Sequence, residues 1–121
     1  MTLPPGKLLV TGSGQSCSAS WHGEGRSDRG TVSIDMVGGP TDWWVSRALV
    51  QGSKMVRGQG IGSELLRLAL EKAVEMGAIR VKVVPGGYGA DPVKQQHFYE
   101  RNGFRKVQEP EGCVWIWETA P

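Results

Sequence analysis

The sequence lacks the features that mark several other classes of protein. Its two cysteines, Cys17 and Cys113, lie far apart and have no spacing that would bind zinc. No apolar run approaches the length of about 18 residues that suggests a membrane-spanning helix. The N-terminus has no basic segment followed by an apolar one, so a secretion signal is not expected. A formal net charge of +2 is too small to argue for nucleic-acid binding.

These absences predict a cytoplasmic protein with no metal, no membrane contact and no nucleic-acid partner. The thiols should then be reduced and partly buried, although a disulfide between them is a second, less favoured reading.

Glycine, in contrast, is abundant. The 121 residues include 18 glycines, about twice the usual frequency of roughly 7%, so loops and tight turns should occupy much of the chain. The length fits a single domain over residues 1–121. We expect residues 1–42 to form variable strands and loops, and residues 43–118 to form the functional core.

Hydrophobic patterning predicts strands in the first half and two helices in the second. A strand begins at residues 7–10, and further strands cover 31–37, 43–50, 78–84, 104–108 and 113–118, with turns at 12–14, 23–30 and 109–112. Apolar residues at helical spacing predict a helix over 61–76, which Gly77 ends. Asp91 as N-cap and Pro92 at the first position open a second helix, and Gly103 ends it. The order predicts an α+β fold: a mixed, mostly antiparallel central sheet with two helices packed on it.

The most informative segment is the glycine-rich turn Val56-Arg57-Gly58-Gln59-Gly60-Ile61-Gly62-Ser63, between a strand and the clearest helix. The first amides of a helix lack internal partners and carry partial positive charge. Alternate glycines leave these amides open to an anion, and Arg57 adds a formal charge. The turn therefore predicts a diphosphate site, whereas the plain alternative is a turn that merely starts the helix. A Walker A loop and a dinucleotide-binding fingerprint are excluded, because the sequence has the residue spacing of neither motif.

The sequence resembles the GNAT superfamily of N-acetyltransferases. Arg57-Gly58-Gln59-Gly60-Ile61-Gly62 matches the family signature Arg/Gln-x-x-Gly-x-Gly/Ala, and Phe98-Tyr99-Glu100-Arg101-Asn102-Gly103-Phe104 matches a second signature about forty residues on. The resemblance covers roughly residues 43–118.

The resemblance implies acetyl-CoA as co-substrate. Ala48, Leu49 and Val50 would contact the pantetheine arm along a bulged strand, with an amide near Leu49 or Val50 bonding the thioester oxygen. Residues Arg57, Gly58, Gln59, Gly60, Ile61, Gly62 and Ser63 would hold the diphosphate. Asp91 falls near a family asparagine that contacts the cofactor, although a helix N-cap explains it equally well, and Arg101 could approach the nucleotide end.

The implied reaction is direct attack by a neutral primary amine on the thioester. Tyr99 matches the family tyrosine that protonates the departing thiolate; its alternative role is core packing. The position that holds a glutamate in many relatives is Lys82 here, which cannot act as a base while protonated. His22, Glu24 and Asp42 are the candidate substitutes, and His97 is expected on the surface of its helix.

The N-terminal part departs from the family, which usually has two helices before the core. No helical period precedes Trp43, so the acceptor side should be open or closed by a second copy of the chain. A homodimer is therefore one expectation. Trp43 and Trp44 should face opposite sides of their strand, whereas Trp115 and Trp117 should share one.

The sequence bears on three classes of function. The first is an acetyl-CoA-dependent N-acetyltransferase, and the second is a non-catalytic acyl-CoA-binding module, which the absent glutamate and the missing helices favour. The third, a nucleic-acid-binding fold, is disfavoured by the acidic residues along the central helix. The acceptor is either a small molecule or a protein.

Overall fold

The computed structural model of the chain describes residues 3–25, 28–51, 60–85, 91–110 and 112–119. Within these ranges it contains seven strands and two helices. In chain order they are β1 (Gly6–Ser13), β2 (Ser16–Gly23), β3 (Arg29–Met36), β4 (Trp43–Gln51), α1 (Ile61–Glu75), β5 (Arg80–Val83), α2 (Pro92–Arg101), β6 (Arg105–Glu109) and β7 (Gly112–Glu118).

All seven strands form one sheet in the order β1-β2-β3-β4-β5-β7-β6. Strands β4 and β5 pair in parallel, and the other neighbouring pairs are antiparallel. The parallel pair arises because α1 connects β4 to β5 as a crossover. The predicted α+β fold, with a mixed and mostly antiparallel sheet, is confirmed.

The N-terminal hairpin differs from the sequence-based prediction. The sequence predicts a turn at Gly12 and Ser13, which belong to β1, and it predicts no element where β2 lies. The turn consists of Gly14 and Gln15, and the positive φ of 62° at Gly14 explains the glycine there. The alternation of outward and buried residues in β2 is hard to recognise in the sequence, because most of its outward residues are small serines with weak strand propensity.

Both helices cover the same face of the sheet, which we call the inner face. The inner residues of β2 and β3 alternate with outward polar ones, so Cys17, Ala19, Val32 and Ile34 are buried beneath α1. Helix α1 buries Ile61, Leu65, Leu66, Ala69, Leu70 and Ala73. Tyr99 of α2 joins the same hydrophobic core, which places α2 on the inner face beside α1.

The opposite, outer face is polar over β2 and β3. Ser20 Oγ lies 3.4 Å from Thr31 Oγ1, and Ser16 donates to Asp35 across 2.7 Å. No helix occurs in residues 3–25 or 28–42, so the expectation that the N-terminal helices are missing holds for the part of the chain described there. None of the described helices is long and apolar enough to cross a membrane.

The tryptophans divide between the two faces as expected. Trp43 is 1% exposed in the core, whereas Trp44 lies on the outer face, where its indole Nε1 donates to Asp42 at 2.6 Å. Trp115 and Trp117 both pack into the core. Both cysteines are free; Cys17 is buried, but Cys113 is exposed, so the prediction of two partly buried thiols was wrong for Cys113.

Candidate functional site

A β-bulge in β4 shapes the site. Ser33 pairs with Arg47 and Ile34 pairs with Val45, which leaves Ser46 as an extra residue without an opposite partner. The bulge is anchored by Ser46 Oγ, which donates to the Ser33 carbonyl oxygen at 3.3 Å. An extra residue reverses the alternation that follows it. Arg47 therefore lies on the outer face, and Ala48 faces inward beside Val32.

Strands β4 and β5 separate just before the bulge. Their parallel pairing is limited to Trp43 with Val81 and Trp44 with Lys82, so Val83, the last residue of β5, no longer pairs with β4. The gap forms a cavity of about 330 Å³, which we call the slot. Its lining includes Ser46, Arg47, Ala48, Leu49, Val84, Gln95 and Tyr99. A bulged strand that splays from its neighbour is what the resemblance predicted, and both features are confirmed.

Tyr99 closes the inner side of the slot. Its ring contacts Phe98 and Phe104 edge-to-face, with centroids 5.1 and 5.2 Å away. The residue is only 3% exposed, and burial raises the pKa of its phenol to about 12. The phenol therefore remains protonated at neutral pH. No described side chain bonds its hydroxyl, which leaves the proton available to a bound molecule.

A second cavity of about 300 Å³ continues the slot on the inner face, between β4, the first turn of α1 and α2. It is lined by Ala48, Leu49, Val50, Gly62, Asp91, Lys94, Phe98 and Tyr99, among others. Leu49 and Tyr99 belong to both cavities. The two cavities together form a path from the slot to the N-terminus of α1.

The N-terminus of α1 is suited to an anion. Gly60 is the N-cap with φ 72° and ψ 21°, a left-handed conformation that favours glycine, and no side chain of the described residues caps the first turn. The amides of Ile61, Gly62 and Ser63 thus retain their capacity to bind a ligand. Glu64 also lies in this turn, but Arg67 bonds its carboxylate and lowers its pKa.

Gly62 has a packing role that the sequence did not indicate. A Cβ at Gly62 would stand 3.3 Å from Phe98 Cε1 and 3.4 Å from Val50 Cγ2. The absent side chain therefore lets α2 and β4 approach the start of α1, which is a different reason for glycine from access to an anion.

Asp91 opens α2 as the N-cap. Its Oδ1 accepts hydrogen bonds from the backbone nitrogens of Val93 at 2.9 Å and Lys94 at 3.5 Å, as the sequence predicted. Because Asp91 also lines the inner cavity, both of its predicted roles remain compatible with its position.

The remaining predicted site residues have different positions. Ile61 is buried in the core, and Ser63 lies beside Asn102 on the other flank of α1. Arg101 is exposed at the C-terminal end of α2 and lines neither cavity. Arg57, Gly58 and Gln59 lie outside the described residues.

Among the candidate bases, His22 and Glu24 are exposed, and Asp42 is engaged by Trp44. His97 is exposed on α2, as expected. Lys82 lies on the outer face with its Nζ 5.4 Å from the centroid of the Trp44 ring. The cation and the aromatic face attract one another there.

Sequence reasoning missed Arg47, Lys94, Gln95 and Phe98, which line the two cavities. Arg47 and Phe98 lie next to residues that were predicted, but their exposure to the cavities depends on the bulge and on helix packing. Within the described ranges, no cluster of three or more histidine, cysteine or acidic residues could hold a metal ion.

The bulged and splayed pair of strands, with an uncapped helix N-terminus beside it, defines an acyl-coenzyme A N-acyltransferase fold. Comparisons with known proteins agree. The acetyltransferase (GNAT) domain family matches residues 28–106, and the chain belongs to that family. Transfer of an acetyl group is the general activity that this membership assigns. No curated protein sequence matches the chain.

Solved structures of the same fold come from several bacteria. A GNAT-family acetyltransferase from Staphylococcus aureus has a TM-score of 0.67 at 16% identity, over 85% of this chain and 68% of its own. An acetyltransferase from Bacillus subtilis, solved with coenzyme A, has a TM-score of 0.65 at 15% identity, over 88% and 78%. A GNAT-family acetyltransferase from Elizabethkingia anophelis, with acetyl-CoA bound, has a TM-score of 0.63 at 15% identity, over 87% and 77%. At these identities the likeness shows the fold.

Proposed function

We propose that this protein is an acetyl-CoA-dependent N-acetyltransferase that moves the acetyl group to a primary amine. The observation that carries the proposal is the slot between β4 and β5, which joins the cavity at the start of α1 and has a protonated phenol in its wall. A thioester in this slot would lie between Tyr99 and the unpaired edge of β4.

The residues fit the parts of acetyl-CoA. The free amides of Ile61 to Ser63 and the helix dipole would hold the diphosphate, and the inner cavity would take the pantetheine arm beside Ala48 to Val50. Lys94, which lines that cavity, adds a positive charge. Arg57, Gly58 and Gln59 are proposed to complete the diphosphate site, and Arg101 to approach the nucleotide end.

The reaction follows from the chemistry of the two substrates. A neutral amine forms a bond to the thioester carbon, and the carbon–sulfur bond breaks. A β4 amide near Leu49 or Val50 stabilises the oxygen that gains charge. Tyr99 donates its proton to the departing sulfur. Because burial disfavours the phenolate, we infer that the phenol is reprotonated in the same step by the proton that the nitrogen loses.

The amine also has to lose a proton before it attacks, since an aliphatic ammonium has a pKa of roughly 10. His22 lines a cavity on the outer face that adjoins the slot. Of the three candidate bases we therefore favour His22, acting through water. A cytoplasmic location and a homodimer stay predictions.

The alternative, an acyl-CoA-binding module without turnover, is favoured by one observation. Among the described residues that line the slot, none is a carboxylate or an imidazole, so none of these side chains can act directly as the base. Calorimetric titration with acetyl-CoA and a thiol-release assay with a panel of amines separate the two functions, because a binding module would bind acetyl-CoA and release no thiol.

The same titration tests the diphosphate site through Gly60→Asp, with Gly14→Asp as the matched control. Both glycines have a left-handed conformation, φ 72° and 62°, but a side chain at Gly14 would meet nothing within 4 Å. We expect Gly60→Asp to abolish acetyl-CoA binding by bringing a carboxylate to the anion site, and Gly14→Asp to bind normally. Unchanged affinity in Gly60→Asp would contradict the site.

A further inference from the structure

A separate cavity of about 280 Å³ lies on the outer face of the sheet. It is lined by His22, Arg29, Gly30, Thr31, Arg47 and Leu49. Of these six residues Arg29 and Arg47 are cationic, His22 adds an imidazole, and none is acidic. Two cationic side chains with no acidic one in the lining favour an anion.

The cavity adjoins the slot. Arg47 and Leu49 line both spaces, because the bulge at Ser46 places their side chains on the outer face. The helices occupy the inner face, so an acceptor that reaches the slot from the outer face passes this cavity. A group bound there would belong to the acceptor, since the proposed coenzyme A path lies on the inner side.

Within the part of the chain that the structure describes, the arginines of this cavity have no acidic partner. Arg29 Nε donates to the neutral side-chain oxygen Oε1 of Gln51 at 2.8 Å, and the Arg47 side chain has no hydrogen bond or ion pair with any residue in the described ranges. By contrast, Arg67, Arg80 and Arg105 each pair with a glutamate. Two guanidinium groups without a counter-charge beside one cavity leave donors free for an oxyanion.

We propose that this cavity binds an anionic group of the acceptor, so that the substrate is a small amine that also carries a carboxylate or a phosphate. Arg47 is the specificity-determining residue, because it alone of the cavity's charged groups also lines the slot. The inference rests on the proposed N-acetyltransferase function. It narrows the acceptor from amines in general to amines with an anionic group a few bonds from the nitrogen.

The test compares acceptors of matched chain length that carry or lack an anionic group. Thiol release from acetyl-CoA is measured with ω-amino acids of two to four methylene groups and with alkylamines of matching length, and 2-aminoethylphosphonate serves as the phosphorus arm. The proteins are the wild type, Arg47→Gln, and Lys106→Gln as a control that removes one exposed charge from β6.

We expect the wild type to prefer the anionic acceptors in kcat/KM by about ten- to a hundredfold, the worth of a charge-assisted hydrogen bond. In Arg47→Gln the ratio of kcat/KM for anionic over uncharged acceptors should fall to about one, whereas Lys106→Gln should keep both the wild-type ratio and the wild-type activity on alkylamines. A stronger effect with the phosphonate than with the carboxylate would identify phosphate as the anion. Equal kcat/KM for charged and uncharged acceptors in the wild type would overturn the proposal, as would a preference that survives in Arg47→Gln.

The two proposals fail in different ways. If no thiol is released from acetyl-CoA with any amine, the N-acetyltransferase function fails. The cavity is then tested by NMR: the protein is mixed with coenzyme A and titrated with the same ω-amino acids. Binding that Arg47→Gln abolishes would still support an anion site, whereas absence of binding would refute it.

Discussion

The side-chain amide of Asn102, just after α2, donates from Nδ2 to Ser63 Oγ in the first turn of α1 at 3.1 Å. The same nitrogen donates to the Phe98 carbonyl oxygen at 2.7 Å. The two residues are 39 positions apart; Asn102 belongs to the segment that matches the second family signature, and Ser63 directly follows the segment that matches the first. The second signature therefore supports the first directly, by fixing the start of the helix whose amides are proposed to bind the diphosphate.

Replacement of Asn102 by alanine should lower the free energy of unfolding by about 1–2 kcal/mol, because both hydrogen bonds are lost. A double-mutant cycle with Ser63→Ala isolates the bond between the two side chains, which we expect to couple by roughly 0.5–1 kcal/mol. Urea denaturation of the four proteins gives the values. Additive effects would show that the bond contributes nothing.

Gly62→Ala should destabilise the protein by about 1 kcal/mol, because the new methyl group would press on Phe98 and Val50. In an unobstructed helix the same change stabilises by up to ~1 kcal/mol, so the sign of the effect is diagnostic. The sign should reverse in a Phe98→Leu background, where the aromatic edge is gone. Thermal or urea unfolding measures both, and stabilisation by Gly62→Ala in the wild-type background would contradict the packing role.

Tyr99→Phe keeps the ring contacts and removes only the hydroxyl, which has no bonding partner among the described side chains. Stability should therefore change by less than about 0.5 kcal/mol. We expect kcat to fall by about a hundredfold or more, the usual contribution of a general acid, with the affinity for acetyl-CoA unchanged. Parallel losses of kcat and affinity would instead assign Tyr99 to packing.

The buried phenol also predicts how stability depends on alkaline pH. Burial raises the pKa of Tyr99 from 10.0 to about 12, so between these values the unfolded chain has lost this proton and the folded chain retains it. The wild type should therefore lose stability relative to Tyr99→Phe as pH rises from 10 to 12, by at most ~3 kcal/mol. Denaturation curves of both proteins across this range measure the difference, in which the other titrating groups cancel. If the stability of the two proteins falls in parallel from pH 10 to 12, the phenol is exposed to water in the folded protein.

Two substitutions separate the roles of Asp91. Asp91→Ala removes the N-cap of α2 and should cost about 1 kcal/mol of stability, whereas Asp91→Asn keeps the cap and should cost only a few tenths. Asp91→Asn should also bind acetyl-CoA more tightly, since it removes a negative charge from the wall of the inner cavity. Calorimetry and denaturation together give both quantities. If affinity does not change in Asp91→Asn, the carboxylate does not face the co-substrate.

Local chemistry in the sequence sufficed for much of the fold. The helix over 61–75 was visible because its apolar period is long, and Asp91, Gly77 and Gly103 marked helix ends through rules that act over a few residues. Strand β2 was missed because the alternation of serine with alanine and cysteine gives little contrast in hydrophobicity.

The candidate site was predictable only where it depends on local signals. Glycine at position 60 could be inferred from the helix start, but the packing of Gly62 against Phe98 depends on how two distant elements meet. The outward position of Arg47 depends on an extra residue in β4, and nothing in the strand's composition marks Ser46 as that residue.

The bulge changes, partway along β4, which residues face the hydrophobic core. Before Ser46 the odd-numbered Trp43 and Val45 face the helices, and after it the even-numbered Ala48 and Val50 do. If Ser46 were instead taken into the ladder, a single parity would run through β4, and it would turn the guanidinium of Arg47 toward the hydrophobic core while Ala48 and Val50 met water. Deletion of Ser46, by contrast, would remove the bulge and leave Arg47 outside and Ala48 inside, because the residues after it already keep their register with β3. The surfaces offered to the two substrates thus depend on Ser46 staying out of the ladder.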